Sequence, residues 1–114
     1  MRLLTTDTIS DRAVRQGELI YATAVSGANI FRDVREAITN TLGGRMSRYE
    51  KLLDLTIARA LEQLAERARD KGYDGVLAVR ISHPEITDGA IEVVVCGTGF
   101  NYAPSQSVGT GGQP

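Results

Sequence analysis

His83 and Cys96 are the only histidine and the only cysteine in the chain. A thiolate and an imidazole can ligate a soft metal, or act as nucleophile and base. A structural zinc site normally takes four such ligands, so Glu85 or Asp88 would have to add oxygen, or ring symmetry would have to multiply one ligand around an axis. The plainer reading makes Cys96 a small buried strand residue and His83 a polar residue before the turn at Pro84. No glycine elbow surrounds Cys96, which weakens the nucleophile reading. Glu62 and Glu66 stand one helical turn apart and suggest acid/base work or a divalent ion. The solvated face of a long helix explains them more simply.

A richer polar group surrounds the pair Gly43-Gly44: Arg32, Asp33, Arg45, Tyr49 and Glu50. Arg45 offers a planar, permanently charged donor fork beside two glycines that allow close backbone approach. Such a group can hold an anion, or bridge to a carboxylate of a neighbouring subunit. Assembly is the favoured reading, because Glu50 already has a capping role. No catalytic residue, no cofactor and no metal site is assigned, with His83 and Cys96 as the sole metal candidates.

The elements that carry these residues follow from periodicity. Leu3–Thr6 reads as a short strand, and Gln16–Ser26 as a longer one rich in β-branched and aromatic residues. Asn29 is an N-cap for a helix in which Ile30, Val34, Ala37, Ile38 and Leu42 share one face. Gly43-Gly44 closes it, and Ser47-Arg48-Tyr49-Glu50 matches a capping box for the next. That second helix runs from about Arg48 to Lys71, with Leu53, Ile57, Ala60, Leu64 and Ala68 as its apolar stripe. Arg59, Glu62, Glu66, Arg69 and Asp70 lie on its solvated side. Gly72 ends it, and Val76–Val79 is a strand covered on both faces. Pro84, Asp88 and Gly89 make a hairpin-like connection to a last strand from Ala90 to Phe100.

The chain has 114 residues, of which 42% are hydrophobic and 24% charged, as in an ordinary globular domain. Its formal net charge of -1 gives no broad attraction to nucleic acid or to anionic membranes. There is no tryptophan and no basic stripe interleaved with aromatics. A lone cysteine and the lack of a long apolar run point to a cytoplasmic protein without a membrane span. From Ala103 onward the residues are too polar and too small to offset their ordering entropy, so residues 103–114 read as a disordered tail. Its Gly109-Thr110-Gly111-Gly112 is no phosphate loop, since no helix follows.

Asn29-Ile30-Phe31-Arg32-Asp33-Val34, Gly43-Gly44-Arg45, Tyr49-Glu50-Lys51, Gly72–Val79, Thr5-Thr6 and Gly97-Thr98 together resemble the YbjQ family, often labelled heavy-metal-binding. The resemblance covers roughly residues 3 to 100. It implies a small α/β subunit, strictly α+β in the order β-β-α-α-β-β, with a sheet packed on two helices in a single domain over 1–102. It further implies assembly into a ring, a homopentamer, while the family's biochemical role is largely undefined. The expected function is therefore a ring-forming protein that binds a small ligand, an ion or a protein partner. The alternatives are an enzyme with an inter-subunit site and a heavy-metal-binding protein. Met46, Arg48 and Asp74-Gly75 depart from the family pattern, which tends to show asparagine and alanine at the last pair.

Overall fold

The computed structural model describes residues 1–26, 45–83, 86–87 and 90–104, with the backbone alone at 45–49, 86 and 87. Six elements follow in order: β1 (Arg2–Leu3), β2 (Val14–Ser26), α1 (Arg45–Asp70), β3 (Gly75–Ser82), β4 (Ile86–Thr87) and β5 (Ala90–Tyr102). The fold is mixed α+β. Among the described residues there is one helix, not two; the helix expected over 29–42 lies outside them. Strand order in the sheet is β1-β3-β5-β2, with β4 paired to β5. β1 runs parallel to β3, placing Arg2 opposite Gly75 and Leu3 opposite Val76. β4 is antiparallel to β5, with Ile86 opposite Ile91 and Thr87 opposite Ala90. This short strand takes up part of what the sequence suggested was only a connection.

Contacts divide the chain into two compact units, and each long element contributes to both. The first holds residues 1–21, 64–80 and those from Cys96 on. Its core is Ile20, Leu64, Ala68, Val76, Leu77, Val79 and Phe100. Val76 and Leu77 are consecutive and both buried, so this part of β3 is covered on its two faces, as its unbroken apolar run requires.

The end of α1 is decided by Gly72, whose φ is +85°. The Tyr73 N–H donates to the Ala68 carbonyl at 3.0 Å, and the Gly72 N–H to that of Arg69 at 2.9 Å. These are the two bonds of a Schellman cap, which needs a residue tolerant of the left-handed region. The cap aims Tyr73 back over the sheet. A Cβ on Gly17 or on Gly99 would meet the Tyr73 ring at 2.4 Å, so both positions must be bare. The Tyr73 hydroxyl then accepts the Glu18 N–H at 2.8 Å.

β1 is shorter than the expected Leu3–Thr6, for a reason that lies in β3. Ala78 has φ +53°, unusual for a residue with a Cβ, and interrupts the regular ladder. The Leu4 carbonyl accepts from Val79 at 2.9 Å and the Thr6 carbonyl from Ala78 at 2.8 Å. Leu4 to Thr6 are thus bonded to β3, but out of strand register.

The second unit holds residues 22–63 and 81–95. Its described core is Ala22, Ala24, Leu52, Ala60, Ile91, Val93 and Val95, with Ser26 and Thr56 as buried polar members. Here the helical stripe differs from the expected one. Leu52 and Thr56 are the buried residues, while Leu53 and Ile57 are half-buried. Among the described side chains of α1 the buried set, Leu52, Thr56, Ala60, Leu64 and Ala68, repeats strictly every four residues. A threonine inside the stripe obscured it, because a hydrophobicity count prefers isoleucine next door. α1 is already helical at Arg45, ahead of the expected cap at Ser47. Arg45 and Met46 favour helix, and helix boundaries shift readily by such amounts.

Candidate functional site

The candidate residues whose side chains are described, Glu50, Glu62, Glu66, His83 and Cys96, do not form one constellation. Arg32, Asp33, Glu85 and Asp88 lie outside the described residues. Arg45 opens α1 and Tyr49 follows one turn later, both described by backbone alone, while Glu50 is exposed. Glu62 and Glu66 are exposed on α1. His83 is exposed just after β3, its Nδ1 3.3 Å from the Glu92 carbonyl oxygen. Cys96 is a half-buried free thiol in β5. Among the described residues, no three His, Cys, Asp or Glu side chains come together in a way that could hold a metal ion.

Two clefts in the first unit were not apparent in the sequence. One, of about 420 Å³, is lined by Arg2, Leu4, Thr6, Thr8, Ile9, Ser10 and Asp11. The Thr6 hydroxyl donates to the Thr8 carbonyl at 2.9 Å and shapes the turn that forms its wall. Arg2 contributes a cation, Asp11 an anion, and Thr8 and Ser10 hydroxyls, a lining suited to a small polar molecule. Arg2 is itself held by the Tyr102 hydroxyl, 3.5 Å from Nη1, and that hydrogen bond raises the pKa of its guanidinium. Arg12 stacks on the same ring, 3.7 Å from its centroid, and the Asp74 carboxylate accepts the Tyr102 N–H at 2.9 Å. Tyr102 thereby ties the N-terminal turn to the end of β5.

The second cleft, of about 320 Å³, lies between β2 and the last turns of α1 and is lined by Leu19, Ile20, Tyr21, Arg67, Asp70 and Lys71. No histidine or cysteine lines either cleft. Neither therefore sets a thiolate or imidazole beside a substrate, and what they offer is hydrogen bonding and charge.

Asp74-Gly75 has a structural use. A Cβ at Gly75 would meet the Arg2 carbonyl oxygen and the Phe100 ring, each at 2.6 Å. Gly75 therefore lets Phe100 become fully buried, and Asp74 fastens Tyr102.

A family model described as "Putative heavy-metal-binding", that of YbjQ, matches residues 1–103. The chain belongs to the YbjQ family. A UPF0145 protein of Halobacterium salinarum is 34% identical over 104 residues, covering 90% of this chain and all of the relative. One of Synechococcus is 36% identical over 99 residues, covering 86% and 95%. A third, of Haemophilus ducreyi, is 36% identical over 84 residues, covering 73% and 80%. A solved structure of a protein of unknown function from Pediococcus pentosaceus, of the DUF74 family, superposes with a TM-score of 0.63. It covers 90% of this chain and 98% of its own at 16% identity, which shows a shared fold. These YbjQ-like relatives are matched over 80–100% of their own length, and their names carry no reaction.

Proposed function

We propose that the chain is a subunit of a homo-oligomeric ring, a homopentamer, that binds a small ligand, an ion or a protein partner and catalyses no reaction. The observation that carries the reading is the exposure of large apolar side chains on one side of β2. Leu19 is 66% and Tyr21 59% exposed, beside a buried Ile20. A small domain that leaves such residues wet gains stability by covering them with a second copy. In the second unit Val25, Leu55 and Ile81 are likewise about half exposed. Membership of a family whose resemblance implies a ring supports the same conclusion.

The group Arg32, Asp33, Arg45, Tyr49 and Glu50 would serve this assembly or a ligand bound at it. No described helix is long and apolar enough to cross a membrane, and the lone Cys96 suits a reducing compartment, so we place the protein in the cytoplasm. Sedimentation of Leu19→Lys and Arg45→Ala beside the parent tests the assembly reading. Smaller species are expected for Leu19→Lys, because it puts an unpaired charge into an apolar contact. Unchanged sedimentation of both would sink the proposal.

The family description favours a second reading, metal binding. His83 and Cys96 would be the soft ligands, completed across subunits. Elemental analysis of untagged protein tests it; a metal content below one equivalent per ring would dismiss it.

A further inference from the structure

β2 is 13 residues long and stands at the end of the strand order, with β5 its only sheet neighbour among the described residues. A long edge with apolar side chains is a template for pairing with another chain. Tyr21 and Ile20 take opposite faces of this strand, Ile20 buried and Tyr21 exposed. The last turns of α1 share a cleft wall with Ile20. From there Arg67 donates through Nη1 to the Tyr21 carbonyl at 2.8 Å, and its guanidinium carbon lies 5.6 Å from the centroid of the Tyr21 ring. A side chain that starts on the Ile20 face and reaches both the carbonyl and the ring of Tyr21 must pass round a margin of the strand. β5 occupies one margin, so Arg67 rounds the free one.

We propose that Arg67 guards the free edge of β2 against pairing with the same strand of a second copy. The Tyr21 carbonyl is an acceptor that an incoming strand would need, and it is already taken. The guanidinium also puts positive charge where an added strand would lie. Burying a guanidinium without a new partner is costly, which makes the barrier stronger than the lost hydrogen bond alone. In the second unit Arg59 performs the same service on the same strand. Its Nη1 lies 3.4 Å from both the Val25 carbonyl oxygen and Ser26 Oγ. The two arginines thus direct any self-association to side-chain faces and away from backbone edges.

The guard can be tested whatever the parent's oligomeric state. Light scattering coupled to size exclusion, over a hundredfold concentration range, compares the parent with Arg67→Ala and Arg67→Gln. The expected result is a concentration-dependent species of at least twice the parental mass in both variants. Thr23→Pro, added to Arg67→Ala, removes an N–H on the same edge as Tyr21 and should return the mass to that of the parent. Circular dichroism accompanies each variant. Folded variants that keep the parental mass overturn the proposal, as does a larger species that Thr23→Pro leaves in place. An unfolded Arg67→Ala or Arg67→Gln chain would also overturn it, since the guard role gives Arg67 no part in the core.

Discussion

Ser26 Oγ and Thr56 Oγ1 lie 2.6 Å apart in the second unit, both buried, and join the end of β2 to α1. Thr56 also donates to the Leu52 carbonyl at 2.8 Å, so the Ser26 hydroxyl is the donor of the pair. The geometry explains why a threonine occupies the buried helical stripe. Thr56→Val should leave Ser26 without its acceptor and destabilise the fold by about 1–3 kcal/mol in urea denaturation. The double variant Ser26→Ala/Thr56→Val should lose less than the two single losses combined, because neither hydroxyl is then left unpaired. Strict additivity would show that the pair contributes no coupling.

Tyr73 over Gly17 and Gly99 gives a second prediction. Gly99→Ala forces a methyl into the ring and should cost about 1–3 kcal/mol. In a Tyr73→Ala background the same change should cost much less, since the ring it strikes has gone. Equal losses in the two backgrounds would mean that another contact excludes the methyl.

Gly75→Ala tests the close approach of β1 and Phe100. An alanine there meets the Arg2 carbonyl as well as Phe100, and backbone yields less readily than a flexible side chain. A loss of about 1–3 kcal/mol in thermal or urea unfolding is expected. An unchanged midpoint would show that β1 shifts to make room without penalty.

Ala78 predicts a gain. An L-residue in the left-handed region is strained by about 1–2 kcal/mol, whereas glycine is not. Glycine's extra freedom in the unfolded chain offsets part of this, so Ala78→Gly should stabilise by about 0.5 kcal/mol. Ala78→Val should destabilise. A melting temperature lowered by the glycine would contradict the strain.

Local chemistry was legible in the sequence, and tertiary geometry was not. Gly72 as a C-cap, a strand through Val76–Val79 and the last strand from Ala90 depend on neighbouring residues, and the structure carries all three, with Ala78 half-buried in its left-handed conformation. The shifted stripe was missed at Thr56, because its hydroxyl is satisfied by Leu52 and Ser26 and only the fold supplies the latter. Arg59 reads as solvated by periodicity, yet its long side chain reaches the carbonyl of Val25. The clefts could not be read at all, since Arg2 and Asp11, or Tyr21 and Arg67, meet only through the sheet. Of the candidate site, His83 and Cys96 are placed without a metal cluster around them among the described residues, while Arg32 and Asp33 fall outside those residues.

Native mass spectrometry of untagged protein reads self-assembly and retained ligand in one experiment. One dominant species at five times the 12.3 kDa subunit is expected, with any retained ligand as added mass. A bare monomer at micromolar concentration would contradict self-assembly.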